Sequence, residues 1–239
     1  MAFDVDALRS DLLTELGAKG SAPRAAQMKA YMKSIMDFAG VPMPVMRLIS
    51  AELAKKHPPP SSSAWEAATL SIWRQARFRE ERYFCETWTG LRAAKAWQTP
   101  ALIPMYEEMI VTGAWWDVVD WLAVHRMGGL LMSHRTEVAP ILRAWSMGDD
   151  LWKRRSAILS QNRHKAATDV DLLFAQIAPS IGSTEFFLRK AIGWALRELA
   201  KTNEAVVVAY VTAHKDALSG LSKREALKHA SPSIRASLI

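Results

Sequence analysis

The chain has 239 residues, 50% of them hydrophobic and 23% charged, a balance that allows a sizeable buried core and excludes an intrinsically disordered protein. Its 31 Lys and Arg against 24 Asp and Glu give a formal charge of +7, and the excess is uneven: residues 1–150 hold 17 of each sign, whereas residues 151–239 hold 14 basic and 7 acidic. A polyanion partner is therefore expected, and the single cysteine, Cys85, excludes a disulfide framework, a cysteine zinc site and an iron–sulfur cluster.

Helical periodicity predicts helices over 4–16, 24–36, 44–55, 64–74 and 79–91. The pattern continues over 100–110, 115–131, 136–145, 151–161, 169–177, 184–200, 204–214 and 223–229, and no segment alternates like a strand. Pro44 and Pro100 suit first helical turns, Thr184 offers a polar cap, and Gly182 and Gly220 stand where a left-handed C-terminal residue would be useful. The Pro58 to Ser63 run reads as an inter-helix loop. Helices of about 11 residues with short connections, at about 35 to 45 residues per pair, predict an all-α, HEAT-like helical-repeat solenoid with a concave face, in one domain over 1–239. No clean sequence repeat is present, and a compact helical bundle is the alternative.

The acidic start, Met-Ala-Phe-Asp-Val-Asp, lacks the positive charge of an export signal, and the apolar run Ala205 to Val211 is far short of the roughly 20 residues that cross a bilayer. A cytoplasmic protein with no membrane association is expected. The six histidines show no metal spacing, and no Gly-rich phosphate loop or G-x-S-x-G elbow occurs, so neither a metal nor a nucleotide cofactor is expected.

Three segments could carry chemistry. In Gly113-Ala114-Trp115-Trp116-Asp117-Val118-Val119-Asp120-Trp121, Trp116 and Asp120 share one helix face, while Trp115, Val118, Val119 and Leu122 suit the core. Asp117 reads as a first-turn charge; Asp120, beside aromatic rings, reads either as a satisfied structural carboxylate or as a functional one. Leu151 to Leu159 sets Lys153, Arg154 and Arg155 at a helix start, a solvated basic face or a phosphate contact. In Glu185 to Glu198, Phe186, Phe187, Ala191, Trp194 and Ala195 fit one side and Arg189, Lys190 and Arg197 others, while Gly193 permits close approach of a helix or a ligand. Met28, Met32 and Met36 read as a packed helix face.

Together with Met28-Lys29-Ala30-Tyr31-Met32-Lys33, Arg79-Glu80-Glu81-Arg82-Tyr83, Lys201-Thr202-Asn203 and Leu221-Ser222-Lys223-Arg224-Glu225-Ala226, these segments resemble the DNA alkylation repair glycosylases of the AlkD family over about residues 5 to 230. The resemblance implies a HEAT-like fold with a concave DNA-binding face and a monofunctional glycosylase that excises 3-methyladenine and 7-methylguanine from double-stranded DNA. It implies catalysis without base flipping; a solenoid that wraps DNA needs no partner subunit, so a monomer is expected, with no cofactor. Carried over by motif, the catalytic residues are Trp116, Asp120, Arg155 and Trp194. Asp120 would stabilise the oxocarbenium-like sugar and orient water, the two indoles would flank the deoxyribose, and Arg155 would hold a phosphate. Tyr31 matches the family's tyrosine near DNA, and Lys153, Arg154, Arg163, Lys165, Arg189, Lys190 and the Lys223-Arg224 pair are candidates for the backbone. The segment Phe38-Ala39-Gly40-Val41 departs from the family's usual pattern. The competing reading is a non-catalytic HEAT-like module that binds structured DNA.

Overall fold

The computed structural model describes residues 3–239, which form two compact units, one ending at Gln98 and the other spanning Thr99–Ile239. Fifteen α-helices run through the described residues, which contain no strand; an isolated bridge pairs Asp37 with Phe78. Short helices packed mainly on near neighbours in sequence make the all-α, HEAT-like helical repeat that the periodicity predicts.

The first unit holds α1 (Val5–Lys19), α2 (Ala22–Met32), α3 (Met43–Lys56), α4 (Ser62–Arg74) and α5 (Arg79–Thr89), then a 3-10 segment, Arg92–Trp97. Asp4 caps α1 by accepting from the Ala7 N–H at 2.9 Å, and Leu8, Leu12 and Leu16, each four apart, form its buried stripe. Met46, Ile49 and Leu53 of α3 and Trp65, Ile72, Phe84 and Trp88 of α4 and α5 complete this core. The charged run at 79–83 is largely structural. Glu80, fully buried, accepts from the backbone N–H groups of Ala39, Gly40 and Val41 at 2.9, 2.8 and 3.1 Å. Gly40 sits there at φ 83, and a Cβ would stand 2.2 Å from the Ser21 carbonyl oxygen, so the unusual 38–41 segment is locked from both sides. Glu81 caps α5 through the N–H groups of Arg77 and Phe78 and pairs with Arg9.

The second unit holds α6 (Ile103–Gly113), α7 (Trp116–Leu122), α8 (Gly128–Ser133), α9 (Arg135–Met147), α10 (Leu151–Leu159), α11 (Val170–Ile177), α12 (Phe186–Ala200), α13 (Glu204–Ala213), α14 (Gly220–Ala226) and α15 (Pro232–Leu238). Its core includes Ile158, Leu159, Leu173, Leu188, Ile192, Leu196 and Val211. α12 packs tightly on α14, and Gly193 permits it: a Cβ there would lie 2.5 Å from Glu225 Cβ and 2.8 Å from the Ser222 carbonyl oxygen. The close approach expected at Gly193 is thus that of a helix.

Several expectations fail locally. The helix over 24–36 stops at Met32, because Lys33 turns left-handed at φ 49 and donates its N–H back to the last turn; Met36 lies outside the helix and only Met32 of the three methionines is buried. The helix over 115–131 is α7, a π-helical segment at Ala123–Met127, and α8. Thr184 caps nothing, since α12 starts after Glu185 without a side-chain cap. Gly182 and Gly220 are not left-handed; Gly220 opens α14 behind its cap Ser219. Phe186 is 58% exposed and does not join the core face of its helix. The last helix was not anticipated, although Ser231-Pro232 supplies both cap and first-turn proline.

Candidate active site

The segment before α7 turns sharply. Ala114 ends α6 in the left-handed region at φ 38, and extended Trp115 then stands just before α7, so that Trp116 and Asp120, one turn apart, leave on the same face. Val118, Val119 and Leu122 are fully buried on the opposite face, as the pattern required. Trp115 packs against Trp152 of α10 and Phe187 of α12, with ring centroids 6.2 and 5.3 Å away, and this aromatic wedge joins the three helices beneath the site.

Above the wedge Arg155 binds Asp120. Its Nε and Nη2 donate to the two carboxylate oxygens at 2.6 and 2.7 Å, and its Nη1 donates to the Phe187 carbonyl. With 3% exposure and all three nitrogens engaged, Arg155 acts here on Asp120 rather than presenting its guanidinium to a backbone phosphate. Burial pushes the Asp120 carboxyl above its ordinary value, Arg155 opposes the shift, and Asp117 adds to it.

Trp116, Asp120 and Trp194 line one open cleft of about 420 Å³, so three of the four residues carried over by resemblance meet there and the fourth, Arg155, grips one of them from below. The cleft also takes in Asp117, Trp121, Val124, His125, Asn162, Arg163 and Glu198. Of these, His125 packs on Trp121 with ring centroids 5.0 Å apart, and its Nδ1 lies 3.2 Å from Arg163 Nη1. His125 belongs to the π-helical segment, whose widened turn no periodicity signals. Glu198 was legible, since it follows Trp194 by four on one helix.

Four of the cations singled out for DNA are tied into the protein. Lys153 pairs with Glu107 at 2.5 Å, Arg154 donates to the Pro179 carbonyl and Ser180 hydroxyl, Arg189 donates to the Ser183 carbonyl, and Lys190 pairs with Glu225. Tyr31 lies in the other unit, 76% exposed at the end of α2. Among the described residues no group of His, Cys, Asp and Glu is placed to hold a metal ion, and no helix is long and apolar enough to cross a membrane.

A carboxylate clasped by arginine in a cleft that two indoles also line is equipped to face developing positive charge, and comparison with known proteins bears on the chemistry. No curated protein matches the chain. A solved structure described as a predicted DNA alkylation repair enzyme from Enterococcus faecalis is similar to it, with 30% identity, a TM-score of 0.79, and 90% of this chain and 98% of that one covered. The family model for DNA alkylation repair enzymes matches residues 12–230, and the chain belongs to that family.

Proposed function

We propose that the protein is a monofunctional DNA glycosylase that hydrolyses the N-glycosidic bond of cationic alkylpurines, 3-methyladenine and 7-methylguanine, in duplex DNA, as the first step of base excision repair in the cytoplasm. The observation that carries this reading is Asp120, held at both oxygens by Arg155 in a cleft that it shares with Trp116 and Trp194.

An alkylpurine methylated at N3 or N7 carries a positive charge and leaves as a neutral base, so its departure needs little acid catalysis. The charge passes to the sugar. A carboxylate fixed beside C1′ stabilises that oxocarbenium-like centre, and a fixed carboxylate needs no reorganisation as the charge develops. The indoles of Trp116 and Trp194 present their π faces to the same polarised sugar. In this reading the cleft receives the deoxyribose and the base stays in the stack, so selectivity follows the charge and lability of the lesion rather than the shape of a base pocket, and bulky cationic adducts are tolerated. The protein acts as a monomer on the duplex; Tyr31 reaches the DNA, and at the lesion Lys153, Arg154, Arg189 and Lys190 exchange their internal partners for phosphates, while on intact duplex those pairs stay closed.

Incubation with duplex containing 7-methylguanine, followed by chromatographic measurement of free base, tests the proposal. The wild-type protein releases base, and Asp120→Asn lowers the rate by at least about a hundredfold. Salt-sensitive duplex binding with no base release would instead support the non-catalytic module.

A further inference from the structure

The cleft contains a second tryptophan–carboxylate pair that repeats the first. On α7, Trp116 is followed one turn later by Asp120; on α12, Trp194 is followed one turn later by Glu198, and all four side chains line the same cleft. The two carboxylates are held differently. Asp120 has both oxygens committed to the buried, planar guanidinium of Arg155. Both Glu198 oxygens receive a single ammonium, that of Lys201 three residues on, at 2.7 Å, and that lysine side chain is 55% exposed. A surface pair of this kind exchanges readily with water. A clasped carboxylate is suited to supply standing negative charge, and a loosely held one to take a proton.

We propose that Glu198 is the general base of the hydrolysis, a catalytic residue that receives the proton of the attacking water, while Asp120 supplies the fixed charge. This assignment rests on the glycosylase reading. The C1′–N bond breaks with its electron pair passing to the cationic base, which leaves neutral. A lone pair of the water oxygen forms the C1′–O bond, and one water proton passes to a Glu198 carboxylate oxygen, leaving a hemiacetal sugar. Neither a metal nor a redox partner is required. The division of labour parallels glycoside hydrolysis by two carboxyl groups, except that the cationic leaving group removes the need for one of them to act as an acid.

The test uses the full chain and single-turnover release of 7-methylguanine, with duplex affinity measured alongside. Glu198→Gln is expected to lower the rate about tenfold to a hundredfold with affinity unchanged. Glu198→Asp should retain more activity than Glu198→Gln, and added formate should restore rate to Glu198→Ala but not to Glu198→Gln. Lys201→Ala should leave base release at or above the wild-type rate, because it frees the carboxylate. Wild-type turnover in Glu198→Gln, or a loss of turnover matched by an equal loss of duplex affinity, overturns the role of Glu198 while leaving the glycosylase reading in place. Absence of base release by the wild-type protein overturns both.

Discussion

Arg155 and Asp120 form a pair whose value depends on ionisation. Burial raises the Asp120 carboxyl and Arg155 restrains that rise, so catalysis that needs the carboxylate falls as pH drops through the Asp120 pKa, and this acid limb lies above the ordinary value of an aspartate. Removing the restraining charge moves the limb further up: a pH–rate profile of Arg155→Gln should show its acid limb displaced to higher pH than wild type. An unmoved limb would mean that Arg155 does not act through Asp120. At this scale the sequence was informative about which residues matter and less so about what each touches. Trp116 and Asp120 were legible from their spacing of four, whereas the hold of Arg155 on Asp120, thirty-five residues earlier, depends on how α7 and α10 pack, which no local pattern encodes.

Packing between elements sets the limits on substitution. Residues 189–197 of α12 lie against α14 because Gly193 has no side chain, and the contact is closed by Glu225, which takes Lys190 and Arg197, and by the Ser222 hydroxyl, which donates to the Arg189 carbonyl at 2.9 Å. Gly193→Ala puts a methyl group against backbone and Cβ atoms that cannot swing aside. The gain in helix propensity of about 1 kcal/mol is smaller than an overpacking cost of about 1–3 kcal/mol, so thermal unfolding should show a net loss of stability and a lower Tm. Helix existence was readable from periodicity nearly everywhere. Boundaries were not readable where backbone conformation departs from residue preference, as at left-handed Lys33 and Ala114 or in the π-helical turn that offers His125 to the cleft. Ala114 is instructive: a residue that disfavours positive φ stands at the corner that aims Trp116 and Asp120, so local strain accompanies the site.

At the scale of the molecule, the all-α repeat was legible because short amphipathic helices with sparse Gly and Pro leave few alternatives, and the family through the resemblance of segments such as 113–121 and 185–198, whereas the division at Gln98 was invisible, since no composition shift or linker marks it. The positive charge was legible in amount and misleading in availability. Lys153, Arg154, Arg189 and Lys190 all have internal partners, so these four do not stand ready as preformed phosphate grips. Titration of undamaged duplex at increasing salt should therefore give a slope of log K against log salt that corresponds to fewer neutralised phosphates than the 14 basic residues in 151–239. A steep slope would mean that those internal pairs open on DNA. Partners that hold cations in place do not abolish the long-range field of a net +7 chain, which still draws the protein toward a polyanion. Attraction without a firm grip gives short dwell times on intact DNA and rapid movement between sites, so a molecule built this way spends its time inspecting base pairs rather than occupying them.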